Sequence, residues 1–113
     1  MAGQIDTQPE YHTIIRCTPL LEDTVRNDLT KLSGELSAVG LISPENAIEL
    51  RDLRSGTVIE RAAKLVEFVA SRVKVNSKNY VLFIQVLTRR YKNIVQELEK
   101  VYKELGELCI FIL

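Results

Sequence analysis

From Tyr11 onward, apolar residues return at steps of three and four positions, the spacing of a helix face. Leu21, Val25, Leu29, Leu32, Leu36 and Val39 form one such stripe. Its length would suit a single rod. Asn27 and Asp28 interrupt it with two good N-cap residues, so the pattern predicts two helices meeting near Asp28. Upstream, "YHTIIRC" makes about two turns. Pro19 then lacks an amide donor and crowds the preceding turn, which predicts a kink or break there.

Stop and start signals crowd the middle of the chain. Gly40 closes one helix, because glycine accepts the left-handed conformation at the C′ position. Ser43 then caps the next helix, Pro44 takes its first position, and Glu45 favours the positive end of its dipole. That short helix, "PENAIELRDL", stops at Ser55 and Gly56. Thr57 and Glu60 immediately supply the spacing of a capping box. In the helix that follows, Val58, Ala62, Leu65, Val66, Val69 and Val73 share a face; Glu60, Arg61, Lys64, Glu67 and Ser71 lie largely opposite. "KVNSK" is a turn capped by Asn76 or Ser77. "NYVLFIQVL" is apolar nearly all round, which predicts a helix in the middle of a bundle. After "TRR", a last stripe runs through Tyr91, Ile94, Val95, Leu98, Val101, Tyr102 and Leu105. No strand-like alternation persists, so the expected fold is all-α: six helices in one domain over residues 10–105. Residues 1–9 read as a flexible arm. Residues 106–113 form an apolar tail whose "CIFIL" reads as the place where a longer protein was cut, with docking on the domain as the alternative.

Composition agrees with a water-soluble globular chain: 46% hydrophobic and 27% charged residues in 113. No apolar run reaches the roughly 18 residues of a membrane span, and no basic-then-apolar signal opens the chain. The two cysteines, Cys17 and Cys109, form neither a disulfide framework nor a metal-ligand spacing, which favours a reducing, cytoplasmic setting.

Candidate chemistry is sparse. His12, the single histidine, lies five residues before Cys17, and on one helix the two point about 140° apart. That is no nucleophile pair. The five glycines are scattered rather than gathered into a phosphate loop, and no hydrolase, zinc-protease or calcium-loop motif occurs. An enzyme is not expected, nor is any cofactor or metal.

The zero formal net charge hides an asymmetry. Residues 1–56 carry five Lys/Arg against nine Asp/Glu, residues 57–90 seven against two, and residues 91–113 three against four. If the fold keeps these apart, one face is acidic and another basic. Head-to-tail docking of such faces can propagate into filaments, with complementarity favouring encounter and rejecting wrong partners. Plain solvated helix faces are one alternative. Nucleic-acid binding is another, but no aromatic residues interleave with the cations and the acidic half repels phosphates.

The ordered set of features resembles a caspase-recruitment domain (CARD) of the death-fold superfamily. The likeness runs from about Tyr11 to Glu104 and is carried by a kinked first helix, "AVGLIS", "PENAIELRDL", "ERAAKLVEFVASRV" and "NYVLFIQVLTRR". It implies a six-helix antiparallel bundle with Greek-key connectivity. It also implies homotypic assembly, with copies of itself or with other death-fold proteins, in apoptotic or innate-immune signalling. Carried onto this chain, the partner-binding basic surface is Arg26, Arg61, Lys64 and Arg72, and the acidic surface is Glu35, Glu45, Glu49 and Asp52. Glu22, Asp23 and Asp28 dilute the basic character around Arg26. "RNDL" spells the R-x-D-L motif of death-effector domains, although near the first helix rather than the last, so the subclass stays open. A structural or regulatory bundle without homotypic partners is the remaining alternative.

Overall fold

The computed structural model describes residues 8–112, with side chains through Leu105. Among these residues the chain is all-helical. Seven α-helices follow in order: α1 (Pro9–Arg16), α2 (Thr18–Val25), α3 (Leu29–Ala38), α4 (Pro44–Arg51), α5 (Val58–Val75), α6 (Lys78–Thr88) and α7 (Lys92–Ile112). A single 3-10 turn, Leu53–Ser55, joins α4 to α5.

The expected interruption near Pro19 is a bend rather than a gap, and it falls at Cys17. Pro19 sits in the first turn of α2, where its missing N–H has no intrahelical partner to lose. The Cys17 amide still donates to the Thr13 carbonyl at 3.0 Å, and Leu21 donates to Cys17 at 2.9 Å. Hydrogen bonding therefore runs almost continuously through the bend. Asp28 holds the N-cap position of α3, as its residue type predicts, but its side chain caps nothing. Its carboxylate instead accepts a hydrogen bond from the hydroxyl of Tyr91, 63 residues away.

Two expectations about burial are corrected. The helix that is apolar on most sides, α6, is not the innermost one. Tyr80, Phe83, Val86 and Leu87 are buried, but Val81 is 55% exposed and Leu82 and Ile84 are half-buried. The central helix is the amphipathic α5, which packs against α1, α2, α3, α4 and α6. At 18 residues it is long enough to pack against five of the other helices. Within α5, Val58 lies exposed at the first turn, while Arg61, expected on the solvent side, is buried with Ala62, Leu65, Val66, Val69 and Val73.

One continuous core links all seven helices, with Ile14, Leu21, Leu32, Leu36, Leu41, Leu50, Leu65, Phe83 and Leu98 at its centre. The α7 helix closes the bundle against α1 and α6. It runs on to Ile112, past the boundary at residue 105 that the sequence pattern places. Residues 1–7 of the expected arm and the side chains of the apolar tail lie outside the described residues.

Candidate functional site

The corner between α3 and α5 is built from punctuation residues. Gly40 ends α3 at φ 82°, a left-handed conformation in which a side chain would be strained. Ser43 then accepts a hydrogen bond from the Asn46 amide at 3.1 Å, with Pro44 at the first position of α4. Asp52 ends α4 and turns the chain by accepting from the Arg54 amide at 2.9 Å. Gly56, at φ 141°, leads into the capping box: Thr57 accepts from the Glu60 amide at 3.1 Å, and Glu60 accepts from the Thr57 amide at 3.0 Å. Hydrogen bonding from Thr57 to the carboxylate, from its backbone first and then its side chain, holds the Glu60 carboxyl below its ordinary range.

This local structure decides which side chains of α4 face outward. Ala47 and Leu50 point into the core. Glu45 and Ile48 stand exposed, and Glu49 is half-exposed. The 3-10 turn adds Leu53, which is 80% exposed, and the first turn of α5 adds Val58 and Ile59. Four large apolar side chains (Ile48, Leu53, Val58 and Ile59) thus lie open to solvent along the segment from α4 to the first turn of α5. Periodicity gave no warning of this, because Val58 falls in register with the core stripe of α5 and the other three lie outside any stripe.

The charged residues expected to bind partners divide into three groups. Arg72 and Glu45 are exposed and make no ion pair among the described residues. Four others are paired yet accessible. Arg26 contacts Asp23 at 2.7 Å, Asp52 contacts Arg54 at 3.3 Å, and Lys64 meets Glu49 at 3.7 Å. The last contact joins a member of the basic set to a member of the acidic set, so the two sets adjoin at the α4–α5 junction instead of occupying opposite ends. Surface pairs of this geometry are worth about 0–1 kcal/mol, so a partner can displace them.

The third group serves the fold. Glu35 takes both Nε and Nη2 of Arg90 on one carboxylate oxygen, at 3.0 and 2.8 Å, tying α3 to the segment before α7. Arg61 is only 8% exposed. Its Nε donates to the Gly56 carbonyl at 3.1 Å and its Nη1 to the Leu50 carbonyl at 3.0 Å, which fastens the end of α4 to the start of α5. A sequence signal for this existed: Arg61, Leu65, Val69 and Val73 are spaced by four, and the last three are core residues. In comparisons with known proteins, no family model, curated protein or solved structure matches the chain.

Elsewhere the polar side chains also work as ties between helices. Tyr102 donates to Glu10 at 3.0 Å across α7 and α1, and the Lys74 ammonium lies 5.3 Å from the ring centre of Tyr11. Cys17 is buried, and burial first, then the Glu97 charge, push its thiol up. Among the described residues, no group of three His, Cys, Asp or Glu side chains gathers to hold a metal ion. No described helix is long and apolar enough to cross a membrane. The α4–α5 corner presents exposed apolar side chains together with accessible charges of both signs.

Proposed function

We propose that this chain is a CARD-like protein-interaction module. It acts in the cytoplasm by homotypic assembly, with copies of itself or with other death-fold domains, in apoptotic or innate-immune signalling. In this reading α1 and α2 are the halves of one kinked helix, which makes six helices with Greek-key connectivity. The observation that carries the proposal is the corner at α4–α5. Ile48, Leu53, Val58 and Ile59 are exposed there among Glu45, Glu49, Asp52 and Lys64. An apolar centre within a polar rim is the usual anatomy of a protein–protein contact. Exposed charges of both signs on one molecule let one copy's acidic residues seat another's basic residues, an arrangement that repeats without closing. Assembly of this kind raises the local concentration of attached effector domains.

The test uses two charge reversals. In isolation, Lys64→Glu sets acid against acid at the contact, and Glu45→Lys sets base against base. Sedimentation velocity is expected to show salt-sensitive association of the native chain, monomers for each variant alone, and renewed association when the two variants are mixed. A native chain that stays monomeric at every concentration and salt, or a mixture that fails to associate, overturns the reading in favour of a regulatory bundle without homotypic partners.

A further inference from the structure

A groove of about 370 Å³ opens where the α2–α3 junction faces the end of α4 and the start of α5. Four cations line it, Arg26, Lys31, Arg51 and Arg61, and Leu53 and Val58 form its apolar wall. They come from four different segments, so the clustering exists only in the folded chain.

The molecule offsets part of this charge itself. Asp28 is the acidic residue in the groove wall, and its carboxylate is engaged by the Tyr91 hydroxyl. Arg26 is held by Asp23. Among the described residues, no carboxylate lies within ion-pairing distance of Lys31, Arg51 or Arg61. Arg51 directs its Nε to the Ala47 carbonyl at 3.2 Å. Arg61, more than nine-tenths buried, has only carbonyl partners. A guanidinium taken out of water beside three more cations, without an acidic partner, is an environment that an incoming anion stabilises. The first turn of α3 forms one wall, with Asp28 at its N-cap position.

We infer that this groove binds a multiply phosphorylated small molecule. The guanidinium nitrogens of Arg51 and Arg61 not already bonded to carbonyls supply donors for phosphate oxygens, and Lys31 adds a point charge. A single carboxylate from a partner peptide would leave most of the cluster uncompensated, whereas several phosphates on one ligand meet several cations together. The volume lies in the range of clefts that hold small molecules, about 300–1,000 Å³, and the Leu53–Val58 wall accommodates a carbon ring. The groove shares Leu53 and Val58 with the surface assigned to homotypic assembly, but Lys31 and Arg51 lie outside that surface, so substitutions at those two test this site separately from assembly.

The experiment is calorimetric titration of the full chain with inositol hexakisphosphate at about 150 mM salt, where exposed charges are largely screened beyond about 8 Å. Binding is expected. In the double variant Lys31→Ala/Arg51→Ala, whose substituted side chains are exposed, affinity is expected to fall at least about tenfold, as the loss of two charge-assisted contacts requires. The control pair Lys100→Ala/Lys103→Ala, exposed on α7, should bind as the native chain does. Circular dichroism confirms folding of both. Co-sedimentation with vesicles separates the sources of phosphate. Capture by phosphatidylinositol bisphosphate, and not by phosphatidylserine at equal charge, assigns a lipid headgroup; titration without capture assigns a soluble ligand. Three results overturn the inference: no binding of the hexakisphosphate, equal losses in the two double variants, or tighter binding of an aspartate-rich peptide.

Discussion

At the scale of single residues, Arg61 joins two elements through two carbonyls. Truncation to alanine leaves the Leu50 and Gly56 carbonyls without this donor and removes the aliphatic stem that fills the space between α4 and α5. Arg61→Ala is expected to lower stability by about 2 kcal/mol, read as a shifted urea midpoint. Arg61→Lys should recover only part of that, because an ammonium cannot reproduce the two-pronged geometry. An alanine variant as stable as the native chain would show that the buried guanidinium does not fasten the corner.

Tyr91 is the second decisive side chain. Burial, then the hydrogen bond it donates to Asp28, then that carboxylate's charge, push its hydroxyl up to about 12. A folded-state value raised above the unfolded one, about 10, means the neutral phenol stabilises the fold. That contribution is fully present below pH about 10 and is lost as pH rises toward about 12. Tyr91→Phe should therefore cost about 1 kcal/mol near neutrality. The gap between variant and native chain should narrow in urea titrations taken at increasing alkaline pH. A gap that stays constant with pH would mean that the hydroxyl contributes nothing beyond packing.

At the scale of elements, α4 exists because its ends are specified, not because its sequence favours a long helix. Ser43 supplies one cap bond and Gly40 the left-handed residue before it. Ser43→Ala is expected to cost about 1 kcal/mol. Gly40→Ala should cost about as much from backbone strain alone, since an added Cβ at Gly40 meets no atom within 4 Å. Gly40→Asn should cost less, because asparagine enters the left-handed region more readily. Thermal melts of the three variants check the order. An alanine at position 40 that left the melting temperature unchanged would remove the conformational argument for the corner.

At the scale of the whole molecule, the fold brings together parts that are far apart in sequence. Asp28 and Tyr91 meet across 63 positions, Glu35 and Arg90 across 55, and Glu10 and Tyr102 across 92. These ties hold the α2–α3 junction, α3 and α1 to α7 and the segment before it. The pairing of Lys64 with Glu49 at the α4–α5 corner adds a condition for assembly by charge. A partner that uses either charge must displace this weak internal contact, and because the exposed charges are screened by salt, assembly should weaken as salt rises.

Local chemistry and periodicity in the sequence determined the helical class, the bend before Leu20, the start of α3 after Asp28, and both caps of the corner. Each rests on interactions within about one turn of helix, which neighbouring residues specify by themselves. Tertiary structure alone decided that α5 rather than α6 would be central, and that Asp28 would give its carboxylate to Tyr91 instead of its own helix. It also decided that acidic and basic residues would adjoin at α4–α5, and that four cations from separate segments would share one groove. Those outcomes depend on which faces pack together, and a face's polarity says whether it can be buried but not against what.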